Sequence, residues 1–440
     1  MLLRIEYRNN NEINPLCDCR CRNSGNRKRN FIGEKNIQVT LFEKVTELEP
    51  VGAGLLLQPA GLAVFEHLGI LDHALTLGAQ VKGLEGRLPN QQLLVNSHYQ
   101  QAHPSFYGLG IHRATLCHVL ESKAKEYTDL IQWEMNVEIS HYLEQPNGVQ
   151  IFGTQAGLKF DAHFDGIIIA NGSRSSLRPA SWVKVDQAYP WGAKWTIVPE
   201  CLSLDPEILH QFHEKSQLML GILPTGAVPS APNQRLSSVF WSMPTPMLEH
   251  FLRREVDREQ WLDHIGSKWP ETATWLRTVI DGCSQQWLSA NYRDVVMSKM
   301  GEGRVGVIGD AAHAMSPQLG QGANMALLDA WALSQSIQTS RQGENLDWSK
   351  LWQTYHQHRK SSTQFYQFLS RLLTPLYQSD HWWTGGLRDL SFGWMYQIPY
   401  FRKEMALTVS GLKSGMFSQM QYDDIAKPHV HNNTFIRSNI

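Results

Sequence analysis

The stretch that most restricts how this chain can fold is residues 304–330. It opens with an apolar run typical of a buried parallel strand, and the run ends at the acidic residue Asp310. A loop with Gly320 follows, and a long helix is predicted to start near Gly322. Glycines let the backbone approach a flat ligand closely, and the N–H groups at the positive end of the helix dipole would face that ligand. The alternative is an ordinary strand–turn–helix unit of an α/β protein. Such a unit does not require this spacing of the acidic residue, the glycines and the helix start.

The rest of the chain has alternating strand and helix patterns from Asn36 onward, which predicts an α/β protein. Apolar runs and alternating patterns predict strands at residues 37–43, 149–152, 157–163, 165–170, 193–198, 218–223 and 236–241. Helical spacing predicts helices at residues 59–71, 114–127, 252–265 and 270–280, and in most of the last hundred residues. Residues 149–152 and 157–163 are expected to pair as a hairpin.

Composition excludes several classes of protein. With 42% hydrophobic and 18% charged residues, the chain can bury a sizeable core, and its 440 residues suit two or three domains. Forty basic and 41 acidic residues give a formal net charge of −1, so we expect no nucleic-acid partner. The sequence has neither an apolar run long enough to span a bilayer nor a secretory signal, so the cytoplasm is the expected compartment.

The six cysteines are too few for a disulfide scaffold. Cys17, Cys19 and Cys21 form a C-x-C-x-C cluster among basic residues. Zinc sites usually space their cysteines about two to four residues apart and add a second pair of ligands. No second pair stands at a suitable spacing, so we predict no metal site.

The full spacing of residues 309–330 resembles the class A FAD-dependent monooxygenases of the para-hydroxybenzoate hydroxylase fold. That broad group includes ubiquinone-biosynthesis hydroxylases and kynurenine monooxygenase, and the resemblance extends over residues 36–412. It implies FAD as the cofactor and NAD(P)H as the co-substrate. It also implies that Asp310 binds the ribityl chain. The residues that would line the isoalloxazine are Pro317, Gly320, Gln321, Gly322, Ala323 and Asn324.

The resemblance assigns three more cofactor contacts. Glu43, at the end of a strand, would bind the ribose hydroxyls of the adenine nucleotide. Arg113 matches an arginine that precedes a helix and contacts the cofactor, and the backbone of Val137 would meet the adenine. Residues 171–178 resemble a D-G-x-x-S-x-x-R motif that couples flavin and pyridine-nucleotide binding, but Asn171 replaces its aspartate. His313 also fits the family pattern, and we interpret it as a structural residue of the loop.

One expected element is missing. A fold of this kind needs a G-x-G-x-x-G turn after its first strand, where a helix N-terminus meets the cofactor pyrophosphate. No such turn precedes Glu43. With one choice of synonymous codons, residues 17–35 back-translated and read one nucleotide later give Ala-Ile-Val-Gly-Ala-Gly-Ile-Ala-Gly-Ile-Ala-Ser-Ala-Ile-Leu-Leu-Ala-Lys-Lys. That sequence is typical of a buried strand, the glycine turn and an apolar helix. We interpret this as a frameshift, and we expect residues 17–35 to stay outside the core and leave the sheet without its first strand.

We therefore expect an α/β fold in which an FAD-binding dinucleotide fold is interleaved with a mostly antiparallel substrate-binding sheet and followed by a helical C-terminal region. The expected division is an aberrant segment (1–35), two FAD-binding parts (36–180 and 290–345), the substrate sheet (181–289), a helical region (346–427) and a disordered tail (428–440).

The expected function is hydroxylation of an aromatic or similar electron-rich small molecule by NAD(P)H and O₂. The alternatives are a flavin-dependent reductase or halogenase of the same fold, or an inactive product of a disrupted gene. Pocket walls are predicted at Trp195, Phe240, Trp241 and Met243, while the sequence identifies no catalytic residue and no oligomeric state. The aromatic stretch at residues 382–401 is expected to pack over the core, and peripheral membrane contact is the alternative.

Overall fold

A computed structural model describes residues 2–7, 37–47, 53–201, 203–251, 255–280, 287–343, 345–379, 382–395 and 398–427. The C-x-C-x-C cluster, the predicted frameshift segment and the predicted disordered tail lie outside these residues. The strands are β1 (Leu2–Tyr7), β2 (Ile37–Glu43), β3 (Gly54–Leu57), β4 (Ala79–Val81), β5 (Gly83–Arg87), β6 (Leu93–His98), β7 (Gly108–His112), β8 (Ile131–Met135), β9 (Val137–Gln145), β10 (Gly148–Gln155), β11 (Leu158–Phe164), β12 (Gly166–Ile169), β13 (Val183–Pro199), β14 (Ile208–Glu214), β15 (Leu218–Val228), β16 (Ala231–Pro244), β17 (Leu288–Met297), β18 (Gly301–Glu302), β19 (Val305–Val307), β20 (Arg341–Gln342) and β21 (Asn345–Leu346).

Helices connect and cover these strands. They are α1 (Pro59–Leu68), α2 (Leu71–Leu77), α3 (Arg113–Ala124), α4 (Glu255–Gly266), α5 (Pro270–Ile280), α6 (Asp310–His313), α7 (Gly322–Thr339), α8 (Trp348–Tyr377), α9 (Trp382–Met395), α10 (Pro399–Val409) and α11 (Tyr422–Ala426). Helices and strands mix as expected for an α/β protein with a helical C-terminal region. Within the described part of the chain, no helix is long and apolar enough to cross a membrane.

The nucleotide-fold part is built on a six-stranded sheet in the order β18-β19-β12-β1-β2-β8. Strands β12 and β19 are parallel to each other, as are β2 and β8. All four of these strands run the same way, because β1 is antiparallel to both β12 and β2. Their apolar side chains are buried against α1, α7 and α8 on one side and the β9–β11 sheet on the other. The carboxyl ends of the four strands therefore meet at one edge, the usual place for a ligand in such sheets.

The prediction that the sheet lacks its first strand is wrong. Strand β1 fills that position between β12 and β2, with Leu2 opposite both Ile169 and Phe42. Strand β1 is antiparallel to both neighbours, however. It therefore begins at the edge of the sheet where β12 and β2 end, and Tyr7 lies at the opposite edge. A segment outside the predicted frameshift thus supplies the backbone hydrogen bonds that a central position demands.

A seven-stranded sheet in the order β17-β13-β16-β15-β14-β5-β6 forms the second layer. Most of its pairs are antiparallel, and only β5 and β14 pair in parallel. Strands β5 and β6 belong to this sheet, although the predicted division assigned their residues to the first FAD-binding part. Helices α4 and α5 cover one face of the sheet with an apolar core that includes Trp241, Trp261 and Leu276.

The two parts meet at a seam where β3 and β7 pack closely against β15 and β16. The Gly54 N–H donates to Ser238 Oγ at 3.1 Å. A Cβ on Gly110 would lie 1.8 Å from the carbonyl oxygen of Pro224, and one on Gly54 would lie 2.1 Å from Thr225. Only glycine allows such a close approach, so the nucleotide fold and the second sheet are in tight register here.

Candidate active site

The carboxyl edge of the six-stranded sheet brings together three of the predicted site residues. Glu43 ends β2, Val137 begins β9 directly after β8, and Asp310 follows β19. Strands β2 and β8 pair through Glu43 and Met135, so Glu43 and Val137 lie close together at this edge. The Glu43 carboxylate accepts hydrogen bonds from its own turn, at 2.9 Å from the Lys44 N–H.

Asp310 occupies the position that the sequence predicts for it. Gly309 has φ 60° and ψ −148°, a conformation that is essentially restricted to glycine, and it turns the chain from β19 into α6. The side chain of Asp310 is exposed. A Cβ on Gly322 would lie 3.8 Å from Asp310 Oδ1, so the carboxylate lies beside the N-terminus of α7. A hydroxyl-bearing chain placed at this edge would find both an acceptor and helix N–H donors.

The loop before α7 is braced by a buried set of amides that sequence reasoning only half identified. Gln321 and Asn324 are buried, and Gln58, which the sequence did not single out, is buried with them. The Gln58 backbone N–H donates to Asn324 Oδ1 at 2.9 Å, and its side chain donates to the Leu319 carbonyl at 3.1 Å. The Gln321 side chain donates to Gln58 Oε1 and to the Val409 carbonyl. Gln321 and Asn324 therefore hold the loop, and a ligand would meet their backbone rather than their side chains.

The remaining loop residues are available to a flat ligand. Gly320 and Gly322 are exposed, and Pro317 and Ala323 are half-buried. Gly320 has φ 61°, a left-handed conformation that favours glycine. The loop thus presents a proline ring and bare backbone, which suits an isoalloxazine.

Arg113 begins α3 and is exposed. It follows His112, the last residue of β7, which pairs with Gly54 at the start of β3. The structure therefore places Arg113 at the seam between the two parts, and its predicted cofactor contact stays a prediction.

The motif at residues 171–178 is held by its arginine. Arg178 is buried and donates to the carbonyl oxygens of Ser173 and Ala311, at 3.1 and 3.3 Å. It also pairs with Asp186 of β13 at 2.6 Å. Although burial alone would raise the pKa of Asp186, hydrogen bonds from Arg293 and Arg178 lower it. Arg178 thus joins the turn after β12 to α6 and to the second sheet.

The four predicted pocket walls divide between the two faces of the second sheet. Trp195 and Phe240 are opposite each other in register, and their rings lie 4.9 Å apart. Trp241 and Met243 belong to the core under α4 and α5 on the opposite face, where they border a cavity of about 840 Å³ at the end of the sheet. Trp195 and Phe240 thus lie on the other face of the second sheet, which α4 and α5 do not cover. On that face they can form a wall of a substrate pocket, as predicted.

Two tyrosines missed by sequence reasoning add polar groups near these residues. The side chain of Tyr189 lies near Thr374 and Ser316, and Ser316 directly precedes Pro317. The side chain of Tyr292 lies near that of Trp195. Burial raises the pKa of both tyrosines, so each keeps its proton at neutral pH and can act as a donor.

The residues present fit the flavin half of FAD. Asp310 and the start of α7 offer partners for the ribityl chain, and the Pro317 loop offers a flat surface. The described residues do not offer the usual binding site for the pyrophosphate half of FAD. At this edge, the described residues include no glycine turn that leads from the first strand into a helix, because β1 begins here and ends at the opposite edge. Clusters of three or more potential metal ligands are also absent from the described part of the chain.

The fold is that of the class A FAD-dependent monooxygenases. The chain belongs to the FAD binding domain family, whose model matches residues 29–366. It is 24% identical to 3-amino-4-hydroxybenzoate 2-monooxygenase of Streptomyces cremeus over 69% of this chain and 73% of that protein. It is also 24% identical to 2-heptyl-3-hydroxy-4(1H)-quinolone synthase of Pseudomonas aeruginosa, over 79% and 86% of the two chains. The crystal structure of Klebsiella pneumoniae HpxO complexed with FAD and uric acid matches with a TM-score of 0.64 at 18% identity, over 83% and 90% of the two chains.

Proposed function

We propose that this protein is an NAD(P)H- and FAD-dependent monooxygenase that hydroxylates a small aromatic or similarly electron-rich ring. The observation that carries the proposal is that the exposed Asp310 lies beside the Pro317 loop and the exposed backbone at the start of α7. The names of the relatives, which include an aminohydroxybenzoate monooxygenase and a quinolone synthase, support an aromatic substrate. When bound, FAD would take a hydride from NAD(P)H and activate O₂.

Residues of this chain would then position the reactants and exclude water. The N-terminus of α7 stabilises negative charge at the flavin through its N–H groups and dipole. Trp195 and Phe240 offer an apolar wall for a ring, and Tyr189 and Tyr292 donate hydrogen bonds to oxygen or nitrogen atoms on it. The proposal includes the predicted cofactor residues, with FAD bound by residues 36–180 and 290–345 and the substrate held mainly by residues 181–289.

Turnover tests the proposal directly. With excess FAD, oxidation of NADH or NADPH and consumption of O₂ should both rise when a suitable phenol or N-heteroaromatic compound is added. Phe240→Ala should lower kcat/KM for that compound by roughly 10- to 150-fold, because about 1.5–3 kcal/mol of apolar contact is lost. Leu158→Ala, which changes an exposed side chain on β11, serves as the matched control.

The products of the same assay separate the alternatives. If the pyridine nucleotide is oxidised but no compound of a broad panel stimulates it or gains oxygen, the reductase alternative replaces the hydroxylase. Halide-dependent products would favour a halogenase. If FAD is bound without any oxidation of NADH or NADPH, the chain is an inactive relative.

We also propose that the protein is cytoplasmic and that its C-terminal helices contact a membrane peripherally. This proposal is supported by exposed apolar side chains on α9 and α10, namely Trp383, Leu390 and Tyr400. The alternative is that these helices pack only within the protein. The rings of Phe401 and Tyr400, whose centroids lie 5.7 Å apart, are an example of such packing. Co-sedimentation with phosphatidylglycerol vesicles tests this proposal, and a protein that stays in the supernatant would contradict it.

A further inference from the structure

Asp329 is the one carboxylate on the buried face of α7, where most of its neighbours on the helix are apolar. Asp329 is fully buried, and so are its two neighbours His313 and Arg359. Asp329 Oδ1 accepts from Arg359 Nε at 2.7 Å, and Oδ2 lies 2.6 Å from His313 Nε2. Burial would raise the pKa of this carboxyl, but His313, Arg359 and the Gly309 N–H hold it well below its usual range. Asp329 is therefore an ionised group inside the core, which needs a reason to be there.

The third partner of Asp329 suggests that reason. Oδ2 also accepts from the Gly309 N–H at 2.7 Å. Gly309 and His313 flank α6 at its two ends, and Asp310 is the first residue of this one-turn helix. One carboxylate oxygen thus holds both ends of the turn that carries Asp310. The conformation of Gly309, with φ 60° and ψ −148°, is one that persists only when surrounding contacts hold it.

We propose that Asp329 is a positioning residue that fixes the direction of the Asp310 carboxylate toward the flavin, with Arg359 balancing its charge. Arg359 comes from α8 and also donates to Ser362 Oγ at 2.9 Å and to the Met325 carbonyl at 3.3 Å. Its guanidinium therefore belongs to the core between α7 and α8, whereas the link to the cofactor edge runs through Asp329. The inference rests on the proposed flavin site.

Three variants separate positioning from general stability. Asp329→Leu leaves Arg359 buried without its counterion, so both Tm and flavin affinity should fall. Asp329→Leu combined with Arg359→Met replaces the ion pair by apolar side chains, an exchange that is often neutral for stability. Its Tm should recover toward that of the unmodified chain, while the Kd for FAD and for riboflavin should stay at least about tenfold weaker. Arg359→Met alone should lower Tm but keep the Kd within about threefold.

Flavin fluorescence titration and thermal unfolding give the two readouts without requiring turnover. Riboflavin is included because it carries the ribityl chain but no pyrophosphate. Ser336→Ala removes another buried polar group of α7, bonded to the Ala332 carbonyl, and should leave the Kd unchanged. The proposal is overturned if affinity recovers together with Tm in the double variant, if Arg359→Met alone weakens binding as much as that variant does, or if the unmodified chain binds neither flavin. Loss of hydroxylation with intact flavin binding would instead count against the proposed function.

Discussion

A version of this protein with the reading frame shifted across residues 17–35 should retain close to one FAD per chain, whereas the chain as given should lose most of its flavin on purification. The shifted frame supplies a strand, a G-x-G-x-x-G turn and a helix, and that helix N-terminus would meet the pyrophosphate. The chain as given has β1 in the corresponding sheet position, and it points away from the cofactor edge. Five basic residues lie between Arg20 and Arg29, and burying them unpaired would cost several kcal/mol each.

The comparison requires both proteins, with the ratio of flavin absorbance to protein absorbance and the melting temperature measured on each. A third version, with residues 17–35 replaced by a Gly/Ser segment of equal length, separates two causes. If the original segment merely disturbs the fold, this version should gain stability as well. Equal flavin content and equal melting temperature in the first two proteins would remove the frameshift interpretation, as would genomic DNA that does not encode the glycine turn in the shifted frame.

Asp310→Ala should weaken FAD binding by about 1.5–3 kcal/mol, the range for a hydrogen bond to a charged group, which is roughly a 10- to 150-fold rise in Kd. The exposed carboxylate beside Gly322 is the acceptor that the ribityl hydroxyls would use. Calorimetric titration with FAD gives the Kd, and the frame-shifted protein should show the same ratio between variant and parent. Asp423→Ala is the matched control, because it removes another exposed carboxylate, on α11. An unchanged Kd for Asp310→Ala would take Asp310 out of the site.

The sequence predicted those parts of the fold that depend on local pattern. The runs of β12 and β19 contain no polar side chain because these strands are covered on both faces, and α7 begins at Gly322 as the loop spacing indicated. The fold class and the FAD-binding family could therefore be inferred correctly. The first strand could not, because Leu2–Tyr7 was grouped with an N-terminal region that shows no clear periodicity.

The rest of the site depends on partners that are distant in the chain. Alternation places Phe240 and Trp241 on opposite faces of β16, but both faces are apolar, so the pattern does not show which face α4 and α5 cover. Gln58 meets Asn324 and Gln321 across more than 260 positions. One signal was available and unused, namely the charged Asp329 in the apolar run of α7. A lone acid in such a run indicates a buried partner, and here that partner is Arg359.

The seam at Gly110 and Pro224 also limits how the molecule can move. A hinge between the nucleotide fold and the second sheet would have to slide backbone over backbone where no side chain separates the two. The opposite end of the second sheet contacts the C-terminal helical region. There Ser242 accepts a hydrogen bond from the Gln378 side chain at the end of α8, and the cavity of about 840 Å³ lies beside it. Relative movement of the two parts is therefore restricted along this seam, and the cavity beside the second sheet can change shape only through side chains and helix ends.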